Sequence, residues 1–374
     1  MEPVRILQVV TMMNRGGLET MLMNYYRQMD RGSIQFDFMV HRLERGHYDD
    51  EIEALGGVIH RMPPIRPGNY RIYFKKLAEF FRAHPEYRVV HSHINENSSF
   101  VLRAARQAGI PCRIAHSHLS DLRLDLKFPF RVYAKYTMKD HPTRYFACSK
   151  NAGRWLFGKG IEEKNDLIVM NNAISLQDFA FDPSAREQVR DELQAGERLV
   201  IGHVGRFNEQ KNHSFLLDIF HSVYRRNRNV LLVLVGAGQL EPVIRRKAEK
   251  LGLGEHVAFL GVRSDISRLM QGMDLFLFPS LYEGLPVVLV EAQAAGLRCI
   301  ASGAITREAD LTGRVQFIGL QESPDHWARA VLDSSYEHAD TSEQLRRSGY
   351  DSAKTAEWLA SFYHAAWRPI LNPR

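Results

Sequence analysis

The sequence predicts an α/β chain built of two Rossmann-like domains in tandem, each a parallel sheet covered by helices on both faces. Three observations carry that prediction. Short apolar runs alternate with longer amphipathic stretches along the whole chain, the pattern of parallel strands joined by crossover helices. The chain has 374 residues, enough for two domains of roughly 100–200 residues each. The alternation also breaks once, at a polar boundary, and then starts again.

Taken in order, the first-half strands are expected at Ile6–Val10, Phe36–Val40, Val89–His91, Arg113–His116 and Leu167–Met170. Each is a nearly continuous apolar run, as a strand buried on both faces requires. The opening MEPVRILQVVTMMNRGG reaches polar Asn14 and Arg15 after a few apolar residues, so it reads as a first strand rather than a signal peptide. Helical spacing marks Glu19–Met29 and Ser99–Ala108 between these strands. The boundary lies in Asn171–Arg198, where Asp182-Pro183 precedes the charged string REQVRDELQAGER. Second-half strands follow at Val200–Val204, Val230–Val235, Val257–Phe259, Leu275–Phe278 and Arg298–Ala301, with helices at Phe215–Arg225, Glu241–Leu251 and Val288–Ala295. The aromatic and aliphatic residues Trp358, Leu359, Phe362, Tyr363 and Trp367 fall at helical spacing. The expected organisation is a first domain over 1–178, a second over 179–354, a cleft between them, and a closing helix in 355–374 packed back on the first.

Composition narrows the function classes. A hydrophobic fraction of 45% excludes a disordered or fibrous chain. Cys112, Cys148 and Cys299 stand far apart with no C-x-x-C pair, which argues against a disulfide framework or a cysteine zinc site. No run of about 18 apolar residues is present to cross a bilayer, so a soluble cytoplasmic protein is expected. The formal charge of +6 points to anionic partners, with nucleotides, phosphorylated lipid and nucleic acid all open. Nucleic acid has charge alone in its favour and no motif, and is not expected.

Several segments could carry chemistry. Gly16-Gly17 falls between the first strand and the first helix, where free N–H groups attract phosphate, although a plain tight turn would look the same. Arg206 and Lys211, in GRFNEQKN, follow the strand Val200–Val204 at its carboxyl end. Together a guanidinium and an ammonium there could clamp a diphosphate and stabilise it as a leaving group; two solvated surface cations are the alternative. Glu283 follows the strand Leu275–Phe278, and Glu291 comes eight residues later among Val288, Leu289, Val290, Ala292, Ala294 and Ala295. A carboxylate in so apolar a run calls for a partner or ligand, which makes this the most specific signal in the chain. The turn Gly236-Ala237-Gly238 lacks the third glycine of a dinucleotide fingerprint because Glu stands at 241, so NAD is disfavoured.

Two H-S-H tripeptides, His91-Ser92-His93 and His116-Ser117-His118, end strands of the first domain. Alternate residues of a strand share a face, so a metal site, substrate-orienting histidines and satisfied core histidines are the readings open to them. No carboxylate or cysteine accompanies them at short spacing, and no metal is expected. Arg123, Lys127, Arg131, Lys135 and Lys139 recur every four residues among Phe128, Phe130, Tyr133 and Tyr136, with Pro129 starting a fresh helix. This pattern suits an anionic membrane surface, and equally a solvated face with its aromatics in the core.

Set in order, these motifs closely resemble the family 4 retaining glycosyltransferases of the GT-B fold, in the bacterial exopolysaccharide and capsule branch. The resemblance runs through G-G at 16–17, RIAHSH at 113–118, GRFNEQKN at 205–212, LVGAGQLE at 234–241, FLGVRSD at 259–265 and PSLYEGLPVVLVEAQAAG at 279–296. It implies transfer of a sugar, with retention, from a nucleotide-diphosphate sugar (UDP foremost) to a glycan or lipid-diphosphate-linked acceptor, without metal or other cofactor. Arg206 and Lys211 match the pair that holds the donor diphosphate. Glu283 and Glu291 match the E-x7-E glutamates, the first on the sugar hydroxyls and the second on the ribose. Gly284, Leu285, Val287 and Val288 match the backbone that reaches sugar and phosphate, and Gly16 and Gly17 the glycines that close over the phosphates. His118 is assigned as the histidine near the reacting sugar, with His116 as the alternate, and Arg263 lies in the loop matching the base-binding region. Pro286 and Gly303 depart from the family pattern, removing one N–H donor and one polar contact. A nucleotide-sugar epimerase of the same architecture and a non-catalytic binding protein are the competing readings. A cytoplasmic enzyme, peripheral at the inner face of the plasma membrane, is the expected setting.

Overall fold

The computed structural model describes residues 2–66, 68–118, 128–163 and 166–368. The chain forms two compact units, one of Met1–Ala173 with Ser352–Arg374 and the other of Ile174–Asp351. The division precedes the expected 178 for a packing reason: Ile174, Leu176 and Phe179 are buried in the core of the second unit.

Among its described residues the first unit contains seven strands, β1 (Val4–Val10), β2 (Ile34–Val40), β3 (Ile59–Arg61), β4 (Val89–Ser92), β5 (Cys112–Ser117), β6 (Arg144–Ala147) and β7 (Leu167–Val169). They pair in the order β3-β2-β1-β4-β5-β6-β7, and every pairing is parallel. The second unit contains β8 (Leu199–Val204), β9 (Val230–Val235), β10 (Val257–Phe259), β11 (Leu275–Phe278), β12 (Arg298–Ser302) and β13 (Val315–Ile318). Its order is β10-β9-β8-β11-β12-β13, again wholly parallel. In each sheet the chain reverses its direction of growth once, between β1 and β4 and between β8 and β11. At such a switch point the flanking loops diverge and leave a crevice for ligand.

Both sheets carry an apolar core on each face, which is why their strands read as unbroken apolar runs. Of the strands that were not anticipated, β3, β6 and β13 have only three or four residues, and β3 and β13 are sheet edges. Too few positions are buried there to leave a pattern.

The closing helix runs from Ser352 to Trp367 and packs Ala356, Leu359 and Tyr363 into the first unit's core beside Tyr25 and Phe36. A buried side chain of the size of Leu359 contributes roughly 1.5–3 kcal/mol. The three cysteines are free. Of the basic aromatic stretch, Phe128–Thr137 is helical; Arg123 and Lys127, with the rest of 119–127, lie outside the described residues.

Candidate active site

The second unit builds its site at the switch point, from the loops that follow β8 and β11. Gly236 packs against the first loop so closely that a Cβ there would lie 2.1 Å from the Gly205 carbonyl oxygen, and its φ of +135° favours glycine. The G-x-G turn therefore serves as a seat for the Arg206 loop. The Phe207 N–H donates to the Ala237 carbonyl (3.1 Å) and the Leu240 N–H to the Phe207 carbonyl (3.0 Å). Beyond Phe207, Asn208 Oδ1 accepts from the Lys211 N–H (3.2 Å) and caps the single turn Glu209–Lys211. Asn212 then takes a left-handed conformation (φ 54°) and donates from Nδ2 to the Pro279 carbonyl (3.1 Å). The Leu281 N–H donates to the Gln210 carbonyl (2.8 Å), and Gln210 Nε2 to the Tyr282 carbonyl (3.0 Å). Three hydrogen bonds thus lash the two loops together.

Their convergence brings Lys211 Nζ to 2.7 Å from Glu283 Oε1, with only 15% and 9% of the two side chains exposed. Nζ also lies over the Phe278 ring, 4.5 Å from its centroid, a position favourable to a cation. Arg206, on the same loop, is exposed.

Past Glu283, exposed Gly284 and half-buried Leu285 lead to buried Pro286, an extended N-cap (φ −76°, ψ 112°). The helix Val287–Ala294 follows, and no side chain caps its start. Its first N–H groups, at Val287 and Val288, have no intrahelical acceptor, so this end favours an anion. Glu291 sits about one turn in, and burial pushes its carboxyl up to about 7; among the described residues no cation pairs with it. Arg263 makes a bidentate ion pair with Asp265 (2.8 and 2.6 Å), which holds its guanidinium against its own loop. The Gly303 N–H donates to the Ile318 carbonyl (2.7 Å), tying its turn to β13.

In the first unit, Gly16 is the extended N-cap of the helix Gly17–Gln28, again without a side-chain cap. The histidines gather on one face of β4 and β5. His91, His93 and His116 are buried, whereas His118 lies one residue beyond β5 and is partly exposed. His91, His93 and His116 bring one ligand atom each within 4.8 Å of one another, a convergence that the separate tripeptides did not reveal. Burial holds His91, His93 and His116 well below their ordinary range and takes His118 down to about 3. All four are neutral at physiological pH.

Comparison with known proteins fits this architecture. The "Glycosyl transferase 4-like domain" matches residues 16–172 and "Glycosyl transferases group 1" matches 184–350. A curated relative, the putative glycosyltransferase EpsF of Bacillus subtilis, is 37% identical across 96% of both chains. The chain is a family 4 glycosyltransferase. The capsular polysaccharide biosynthesis glycosyltransferase CapH of Staphylococcus aureus is 26% identical over 88% of this chain and 90% of its own. This glycosyltransferase falls in the exopolysaccharide and capsule branch. Among solved structures, Anabaena HepE in complex with UDP and glucose superimposes with a TM-score of 0.76 at 19% identity, over 96% of this chain and 99% of that one. WaaG, a glycosyltransferase involved in lipopolysaccharide biosynthesis, gives 0.65 at 16% identity over 98% and 100%. The fold of this glycosyltransferase is GT-B.

Sequence reasoning missed the residues that hold the site rather than form it. Asn208, Gln210 and Asn212 fix the Lys211 loop, and Gln8 and Tyr363 underlie the histidines. Asn208 before a one-turn helix is a capping signal that could have been read; Gln8 and Tyr363 are 355 residues apart and leave no local trace.

Proposed function

We propose that this glycosyltransferase transfers a sugar, with retention of its anomeric configuration, from a UDP-sugar to a glycan or lipid-diphosphate-linked acceptor in cell-surface polysaccharide synthesis. The observation that carries the reading is the paired Lys211 and Glu283, largely buried at the switch point beside an uncapped helix N-terminus. HepE, of the same fold, is seen with UDP and glucose, and a relative 27% identical over 58% of this chain is a UDP-Gal:alpha-D-GlcNAc-diphosphoundecaprenol galactosyltransferase from Escherichia coli.

Bond breaking places negative charge on the departing diphosphate. Lys211, Arg206 and the N–H groups at Val287 and Val288 meet that charge as it develops. Diphosphate competes with Glu283 for Lys211, which leaves the Glu283 carboxylate to accept hydrogen bonds from the donor sugar. Glu291 takes the ribose hydroxyls, Gly284 and Leu285 give the ligand backbone to lie on, Gly16 and Gly17 offer the first unit's N–H groups to phosphate, and Arg263 lies toward the base. His118 meets the sugar. The departing phosphate takes the acceptor's proton on the same face, so neither a metal nor another cofactor is required.

The acceptor side is read from the helix Phe128–Thr137. Its Val132, Tyr133 and Tyr136 are 43%, 53% and 72% exposed, and they lie among Arg131, Lys135 and Lys139. Aromatics displayed beside cations suit an anionic membrane surface better than a core.

Lys211→Ala, Arg206→Ala and Glu283→Ala are each expected to lower transfer about a hundredfold or more, the scale for losing a group that meets transition-state charge. EDTA is expected to leave the rate unchanged. Full activity of Lys211→Ala, a strict metal requirement, or an inverted anomer in the product would refute the reading.

A further inference from the structure

The buried histidines of the first unit form a single hydrogen-bonded chain, and one amide sets its direction. Gln8 Oε1 can only accept, so His93 Nε2, at 2.9 Å, carries the proton. A neutral imidazole has one N–H, which makes His93 Nδ1 the acceptor for His118 Nε2 at 3.0 Å. His118 therefore ends this branch with a bare Nδ1, a buried atom with no hydrogen-bond partner among the described residues.

The other branch runs the opposite way. Gln8 Nε2 donates to the Tyr363 hydroxyl (3.1 Å), which in turn donates to His91 Nδ1 (2.7 Å). His91 Nε2 then donates to His116 Nδ1 (3.1 Å), so His116 keeps its proton on Nε2. The single amide of Gln8, held by a tyrosine of the closing helix, thus dictates four tautomers.

We propose that Gln8 and Tyr363 are positioning residues: acting through His93, they hold His118 as the Nε2–H tautomer, so that its bare Nδ1 accepts a hydrogen bond from a hydroxyl of the donor sugar. The proposal rests on the reading that His118 meets the sugar. Burial, which keeps the rings neutral, supports it because a doubly protonated ring has no acceptor to offer. The same rings could gather a metal. The proton-sharing contacts already join the nitrogens in pairs, however, and the group contains no carboxylate to offset a dication.

Nitrogen-15 NMR of histidine-labelled protein, assigned with single-histidine variants, reads each tautomer directly. In the unaltered enzyme His118 is expected to show a bare Nδ1 and a protonated Nε2 at every pH from 6 to 8. Gln8→Leu is expected to mix or reverse the His93 and His118 tautomers and to lower kcat about fivefold, the worth of one neutral hydrogen bond. Gln8→Glu, whose carboxylate still accepts from His93, is expected to restore both. A protonated His118 Nδ1 in the unaltered enzyme overturns the proposal without any variant, as does an unchanged tautomer or rate in Gln8→Leu. One-to-one zinc uptake that removes the N–H signals overturns it in favour of a metal site. If the tautomers are as stated but His118→Ala transfers at full rate, the placement of His118 at the sugar is wrong, while the assignment of Lys211 and Glu283 is untouched.

Discussion

In the proposed site, Glu291 would couple stability to donor binding through one proton. Burial among aliphatic neighbours holds its carboxyl at about 7, above the ordinary 4.5. For a group whose folded value is raised, the stabilising contribution is present below pH 4.5 and is lost as pH rises through 7. Glu291→Gln removes that loss, so the variant is expected to melt a few degrees above the unaltered protein at pH 8 and alongside it at pH 5. The ionised carboxylate is the better acceptor for ribose hydroxyls. UDP affinity of the unaltered protein is therefore expected to rise as pH climbs from 6 to 8, with that of Glu291→Gln weaker and flat. Calorimetry and UDP titration at the two pH values check both halves, and a variant that binds UDP as tightly at pH 8 would remove Glu291 from the site.

At the scale of elements, the loops after β8 and β11 are held by backbone geometry that two glycine substitutions separate. Gly236→Ala forces a side chain into a positive-φ position, which costs on the order of 1–3 kcal/mol, and drives its Cβ into the Gly205 carbonyl. A domain of this size loses about 2–4 °C in Tm per kcal/mol, so a fall of several degrees is expected along with weaker UDP binding, because the displaced loop carries Arg206. Gly284→Ala meets nothing within 4 Å and is expected to leave Tm unchanged. It is expected to weaken donor binding, because the backbone there is read as a surface on which the ligand lies. Equal UDP affinity in Gly284→Ala and the unaltered protein would show that the ligand does not approach it. The local signals for these elements were legible: β9, β10 and β11 stand where their apolar runs placed them. The role of Gly236 was not, because its contact is with another loop.

Over the whole molecule, charge is divided unevenly. Residues 1–178 hold 26 Lys and Arg against 19 Asp and Glu, and the remainder 23 against 24. The basic excess therefore lies in the first half of the chain. No described helix is long and apolar enough to cross a membrane, so attachment through the helix Phe128–Thr137 would be superficial and sensitive to salt. Replacing Arg131, Lys135 and Lys139 together with glutamine is expected to abolish sedimentation with phosphatidylglycerol vesicles at low salt and to spare UDP binding. Unchanged sedimentation would remove the membrane from the proposal.

What the sequence determined by itself was whatever depends on near neighbours. Strand-helix alternation, the polar break before the second series, and the order of Arg206, Lys211, Glu283 and Glu291 relative to strand ends all follow from residues within a few turns of one another. Only the tertiary structure decided which of these meet. Lys211 reaches Glu283 across 72 residues, and Gln8 reaches Tyr363 across 355. A hydrogen bond between distant segments depends on how strands are ordered in a sheet and which helix covers them, and periodicity along the chain carries neither. The direction of protons through the four histidines belongs to that second kind. The residue types allowed many arrangements, and packing against one amide and one phenol selected a single one.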